Sequence, residues 1–305
     1  MLRFAGRVIE DRGVSMRRLY IPTVAEDHWS YNKLFALWRE VKGSWRQVLF
    51  DFSQCTFLGQ NGVAFLGGLI RLIEQRGGEV TFDWATLRND IKMNLAQNGF
   101  LAVFKGGMEP WQGNSIPYRE DPQLDKDGLV DYLADRWLGR NWVHLSDGLR
   151  YALAGRVYEI YVNAFEHSDS RIGVFSCGQH YPRSRSVRLT AVDFGVGIPC
   201  NVRGFAGNQN IHASSAMKWA FQRGTTTRPG SSGGGVGLDL LKELVRLNGG
   251  ALQVFSHEGY AVLLSQSERY EERAKNFEGT MVTITLRCDQ KFYHLTTERD
   301  DKPLF

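Results

Sequence analysis

The spacing of apolar and polar residues changes period repeatedly along the chain. Residues 17–22 fit a short strand, and residues 27–41 place Trp29, Leu34, Leu37 and Trp38 on one side of a helix. The run QVLFDF at 47–52 suits a buried strand. Phe65, Leu69 and Leu72 recur at helical spacing within 60–75, and Gly77-Gly78 ends that helix. Residues 80–84 return as a strand and 86–97 as a helix closed by Asn98-Gly99. Short loops between alternating strands and helices predict a small sheet flanked by helices.

Residues 106–125 are rich in Gly, Pro and polar groups and are expected to be a linker. Helices are predicted at 126–138 and 146–168, with Ser146 able to cap the second. Strands follow at 172–178, 187–194, 252–256, 261–265 and 280–286, and helices at 212–222 and 236–247. The mixed-charge stretch 268–275 is expected to be an exposed turn or short helix. The expected organisation is therefore α/β in two domains: 1–105, a linker at 106–125, a second domain at 126–290 and a tail at 291–305.

Composition narrows the class. Of 305 residues, 43% are hydrophobic and 23% charged, which excludes a disordered or collagen-like chain. A net charge of +4 gives no global field for nucleic acid. Cys55, Cys177, Cys200 and Cys288 are far apart and are expected to be reduced thiols of a cytoplasmic protein. The N-terminus lacks the apolar core of a signal peptide, and no apolar run approaches a membrane span. Neither HExxH nor a paired CxxC appears.

Four patterns in the second half carry chemistry, each weak alone. EIYVNAFEH spaces Glu159, Asn163 and His167 four apart, on one helix face. A carboxylate and an amide one turn apart can handle a hydrated divalent cation. AVDFGVGIP ends an apolar strand in Asp193, followed by Gly195 and Gly197, which let backbone approach a ligand closely. GTTTRPGSSGGGVGLDLLKELV runs from small residues straight into an amphipathic helix, so the amides of Gly235, Val236 and Gly237 would form an anion site. GTMVTITL is an alternating strand. A P-loop is excluded because no GK[ST] follows the glycines.

Taken in order, these patterns resemble the ATP-binding domain of the GHKL superfamily (the Bergerat fold, HATPase_c), over about residues 140–290. The resemblance implies an α/β sandwich with helices on one face of a mixed sheet, binding ATP and Mg²⁺. Asn163 would hold Mg²⁺, and Asp193 would accept from the adenine amine. Gly195 and Gly197 would line the base pocket. Residues 224–232 would form the lid, with Thr226 among the nucleotide contacts. Gly233, Gly235, Val236, Gly237 and Leu238 would meet the phosphates, and Thr280 would sit near the base. Glu159 would orient or deprotonate the attacking group, and His167 would approach the phosphates. Glu159 stands where sensor histidine kinases usually have Asn, and His144 lacks the acidic neighbour of a phosphoacceptor motif. With so short a remainder after the last strand, the transducer domain of the gyrase-type members is not expected in this chain. The local match is nearest the anti-sigma-factor kinase branch, which implies an ATPase or a serine/threonine-type protein kinase.

Residues 45–105 resemble a STAS domain, the fold of anti-anti-sigma factors. The phosphoacceptor serine of that family is replaced here by the turn Gly59-Gln60-Asn61-Gly62. Neither Gln60 nor Asn61 can take a phosphoryl ester. The STAS-like half is therefore expected to grip a protein partner or to sense the nucleotide state of the second half. The resemblance also accommodates a homodimer.

Overall fold

The computed structural model describes residues 8–11, 14–25, 27–43, 45–107, 109–111, 113–222, 225, 227 and 239–299. The first half runs β1 (Val8–Asp11), β2 (Val14–Tyr20), α1 (His28–Val41), β3 (Gln47–Asp51), α2 (Gln60–Gln75), β4 (Glu79–Asp83), α3 (Asn89–Gln97) and α4 (Phe100–Phe104). Asp27 caps α1 by accepting from the Ser30 amide. The four strands lie in sequence order, with β2, β3 and β4 parallel.

The second half continues β5 (Ser115–Asp121), α5 (Lys126–Asp131), β6 (His144–Leu145), α6 (Asp147–His167), β7 (Val174–Tyr181) and β8 (Ser186–Asp193). Then come α7 (Gly197–Ala206), α8 (Ala213–Ala220), α9 (Asp239–Asn248), β9 (Ala251–Leu264), β10 (Glu268–Arg287) and β11 (Phe292–Tyr293). Five strands form one sheet in the order β5-β7-β8-β10-β9. The protein is thus mixed α/β, as the periodicities predict.

Three expectations are corrected. The larger sheet is antiparallel at every described pairing, not mixed. The β7–β8 and β9–β10 connections are too short for the crossover that a parallel pair needs. Within the expected linker, residues Ser115–Asp121 form the edge strand β5, whose Ile116 is fully buried. Residues 268–275 belong to β10, because cross-strand pairing with β9 captures the charged segment. Their charges suit an edge that must not recruit another strand.

The tail also takes part in the fold. β11 pairs in parallel with β6. Glu298 then accepts from the Ser146 hydroxyl at 2.5 Å and from the Leu295 amide at 2.7 Å, at the N-terminus of α6. A carboxylate there complements the helix dipole.

Alternation along the strands buries the larger sheet on both faces. Val174, Leu189, Ala191, Val254 and Val282 pack under α6, together with Leu153, Val157 and Tyr161. On the opposite face Phe175, Cys177, Val192, Phe255 and Met281 share one core with Phe35, Phe65 and Leu69 of α1 and α2. Helix α2 is buried over most of its length, as an all-round apolar helix must be. It comes close because Gly67 and Gly68 carry no side chain. A Cβ at Gly67 would overlap the Tyr118 phenol, and one at Gly68 the Phe194 ring.

Polar groups cross the same contact. Tyr31 Oη lies 3.2 Å from Thr283 Oγ1, which lies 3.0 Å from Thr190 Oγ1. Gln60 Nε2 donates to Thr190 Oγ1 at 3.4 Å, and the Tyr181 hydroxyl donates to Gln60 Oε1 at 2.6 Å. The turn that resembles a phosphoacceptor loop is therefore packed inward, with Gln60 2% and Asn61 0% exposed. Among the described residues no helix is long and apolar enough to cross a membrane.

Gly68→Ala pushes a methyl into a rigid aromatic cluster and is expected to cost about 1–3 kcal/mol of stability. Chemical denaturation reads this. An unchanged midpoint would mean that the two halves separate easily.

Candidate functional site

Helix α6 supplies one wall of the main cleft. Ser146 Oγ accepts from the Leu149 amide and starts the helix. Leu149, Leu153, Val157 and Tyr161 form its buried stripe. That stripe turns Glu159, Asn163 and His167 toward the cleft, all three among its lining. Asn163 is exposed to the cleft, whereas Glu159 and His167 are half-buried. Thr227 Oγ1 lies 3.4 Å from His167 Nδ1.

The floor comes from the strands. Asp193 is the last residue of β8 and is paired between Val174 of β7 and Thr280 of β10. It shares the cleft with Thr280, Gly197, Ala191, Val254 and Val282. The cavity measures about 200 Å³. Burial pushes the Asp193 carboxyl up to about 7, against the pull of the Gly195 and Thr280 amides. The side chain is only 4% exposed, and Gly195 N donates to Oδ1 at 2.9 Å.

The glycines after Asp193 are sterically required. A Cβ at Gly195 would overlap the Ser168 carbonyl. Gly197 has φ +74, and a Cβ there would strike the Glu278 carbonyl. Val196 N donates to Ser168 O at 2.6 Å, which ties the turn to the end of α6. Asn201 Nδ2 donates to His167 O at 2.6 Å and ties α7 to the same point.

The structure thus brings together Glu159, Asn163, His167, Asp193, Gly197 and Thr280 around one cleft, with Gly195 in the turn beside it. Thr226, Gly233, Gly235, Val236, Gly237 and Leu238 lie outside the described residues.

Sequence reasoning missed several participants. Trp219, in the last turn of α8, and Phe221, just after it, line the cleft. Ser256 is fully buried in β9, accepts from Ile198 N at 2.9 Å, donates to Gly279 O at 3.0 Å and lies 3.1 Å from Thr280 Oγ1. His257 Nε2 donates to Val196 O at 2.6 Å. These residues stand some sixty positions from the turn they hold, and no local spacing marks them.

The donor set suits a hydrated cation better than a caged one. Among the described residues no three His, Cys, Asp or Glu side chains converge on a metal position. Asn163 with Glu159 one turn away offers oxygen to an ion that keeps its waters, as Mg²⁺ does. No Lys or Arg is among the described residues that line the cleft.

Comparison with models of known families gives no match, and comparison with curated proteins gives none either.

The raised Asp193 pKa has a definite sign. Its contribution to stability is intact below the unfolded value near 3.8 and is lost as pH rises through about 7. Asp193→Asn should therefore stabilise the ligand-free protein at pH 8, by up to about 4 kcal/mol, and have little effect at pH 4. Melting curves of both proteins across this range test it. Parallel pH profiles would contradict a buried titrating acid.

Proposed function

We propose that the protein binds Mg·ATP between α6 and the larger sheet and uses it in regulation. The outcome is slow hydrolysis or transfer of the γ-phosphate to a partner protein. The reading is carried by Asp193, a buried acid on an apolar floor, facing a helix that presents Glu159, Asn163 and His167 at one-turn intervals. A buried carboxylate accepts a hydrogen bond from an amine, and the apolar floor suits a purine. On this reading the second half is GHKL-like and the first half STAS-like.

Each residue then has a role. Asp193 selects the base through its amine. Gly195 and Gly197 leave room for the ligand, and Thr280 borders the base. Asn163 holds Mg²⁺, which supplies neutralisation of phosphate charge when bound. Glu159 orients the attacking water or hydroxyl, or takes its proton. His167 stands at the phosphate end of the wall. With no described Lys or Arg in the lining, binding is expected to depend on the divalent cation.

A second reading has its own observation. Thr190 and Thr283 bond to each other and to Gln60 and Tyr31 of the first half. Their chain neighbours Ala191 and Val282 line the cleft. The protein could thus act as a nucleotide-gated interaction module whose STAS-like half grips a partner.

The fate of γ-labelled ATP separates these readings, with purified protein alone and in host lysate. Label on a lysate protein identifies a kinase, and free phosphate alone an ATPase switch. Bound ATP without either identifies the gated module. If turnover occurs, Glu159→Ala should lower it at least about 100-fold while sparing binding. Asn163→Ala should weaken binding and its dependence on Mg²⁺. Unchanged turnover in the Glu159 variant would sink the catalytic assignment, and no ATP binding at all would sink both readings.

A further inference from the structure

We infer that His257 is a positioning residue of this site, holding the turn that presents Asp193. The inference rests on the ATP reading and adds a residue from a distant strand to it.

The turn after β8 must keep one backbone path for Asp193 and Gly197 to face the same cleft. Its weak point is the peptide between Val196 and Gly197, because Gly197 at φ +74 has little conformational preference of its own. The amide of Val196 is held by Ser168 O, and the amide of Ile198 by Ser256 Oγ. The Val196 carbonyl, at the N-cap of α7, is gripped from outside the helix by His257 Nε2 at 2.6 Å. A flip of that peptide would break this bond.

His257 is itself held in an uncommon conformation. Its φ is +52, in the left-handed region that residues with a β-carbon seldom adopt. It lies opposite Phe277, where the β9–β10 register shifts. Such bulges redirect a side chain. Here the ring is directed at the turn: a Cβ at Gly197 would lie 2.8 Å from His257 Cδ2. Strain of this kind persists where the surroundings hold it, and it clusters at functional sites. A carbonyl acceptor requires a proton on Nε2, which both the Nε2–H tautomer and the imidazolium carry. The histidine therefore acts by placement, not by proton transfer.

His257→Gly removes the ring and relaxes the left-handed residue, and His257→Gln keeps an amide donor. His257→Leu keeps bulk without a donor and reads the same loss should the glycine variant not fold. We expect His257→Gly to weaken Mg·ATP binding about tenfold and to lower the preference for ATP over GTP. Amide hydrogen exchange at Gly195 to Ile198 should accelerate in the ligand-free protein, while the melting temperature stays near the parent's. His257→Gln should recover most of the affinity. Unchanged affinity and exchange in the glycine variant would overturn the assignment. So would a glutamine variant as weak as the glycine one, or affinity lost only in step with melting temperature. If the parent binds no ATP, the nucleotide reading falls, and the exchange rates alone decide whether His257 holds the turn.

Discussion

Everything near the cleft depends on a sheet that is covered on both faces. Strand β8 alternates between Thr190 and Val192 on the α2 side and Ala191 and Asp193 on the α6 side. One strand therefore serves two environments, and a shift of either face is felt by the other. The close approach of α2 reinforces this. Gly68 lies against Phe194, whose ring also packs on Phe65 and Phe277, and Phe194 directly follows the acid of the cleft. The first half thus backs the sheet whose other face floors the cleft. The inward-packed Gln60 and Asn61 agree with this, since a loop meant to meet a partner would be expected at the surface.

Chemistry in the cleft is set by contrast. The floor is apolar and holds one acid whose charge is costly, whereas the α6 wall is polar and open to water. The cost of the Asp193 charge is relieved by a proton or by a ligand that donates to the carboxylate, so the burial that weakens the fold at high pH favours a donor ligand. The turn after Asp193 is pinned to α6 by Ser168, to β9 by Ser256 and His257, and through Ser256 to the strand end at Gly279.

Much of this was legible in the sequence because it is local. The i, i+4 spacing of Glu159, Asn163 and His167 needs only a helix, and the Asp193-Gly195-Gly197 pattern needs only a strand end. Helix α2 appears at the predicted residues because its apolar periodicity and Gly77-Gly78 stop are strong. What escaped was non-local. The linker-like composition of 106–125 hid an edge strand whose partner lies some sixty residues later. The charges of 268–275 masked an extended arm stabilised by β9. Ser256 and His257 act on a turn that only the folded sheet brings to them.

The closure of α6 by residues 292–298 has a consequence for biosynthesis. Its N-terminal turn is completed by Glu298, and the adjacent strand β6 finds its partner only in Phe292–Tyr293. Tyr31 of α1 likewise meets Thr283, 252 positions away. A nascent chain emerging from the ribosome cannot form these contacts until residues 283–298 have been made. The helix bearing Glu159 and Asn163 thus stays incompletely anchored while the first half is already available to fold. Contacts of such sequence separation slow folding, so the cleft matures after the elements that precede it in the chain.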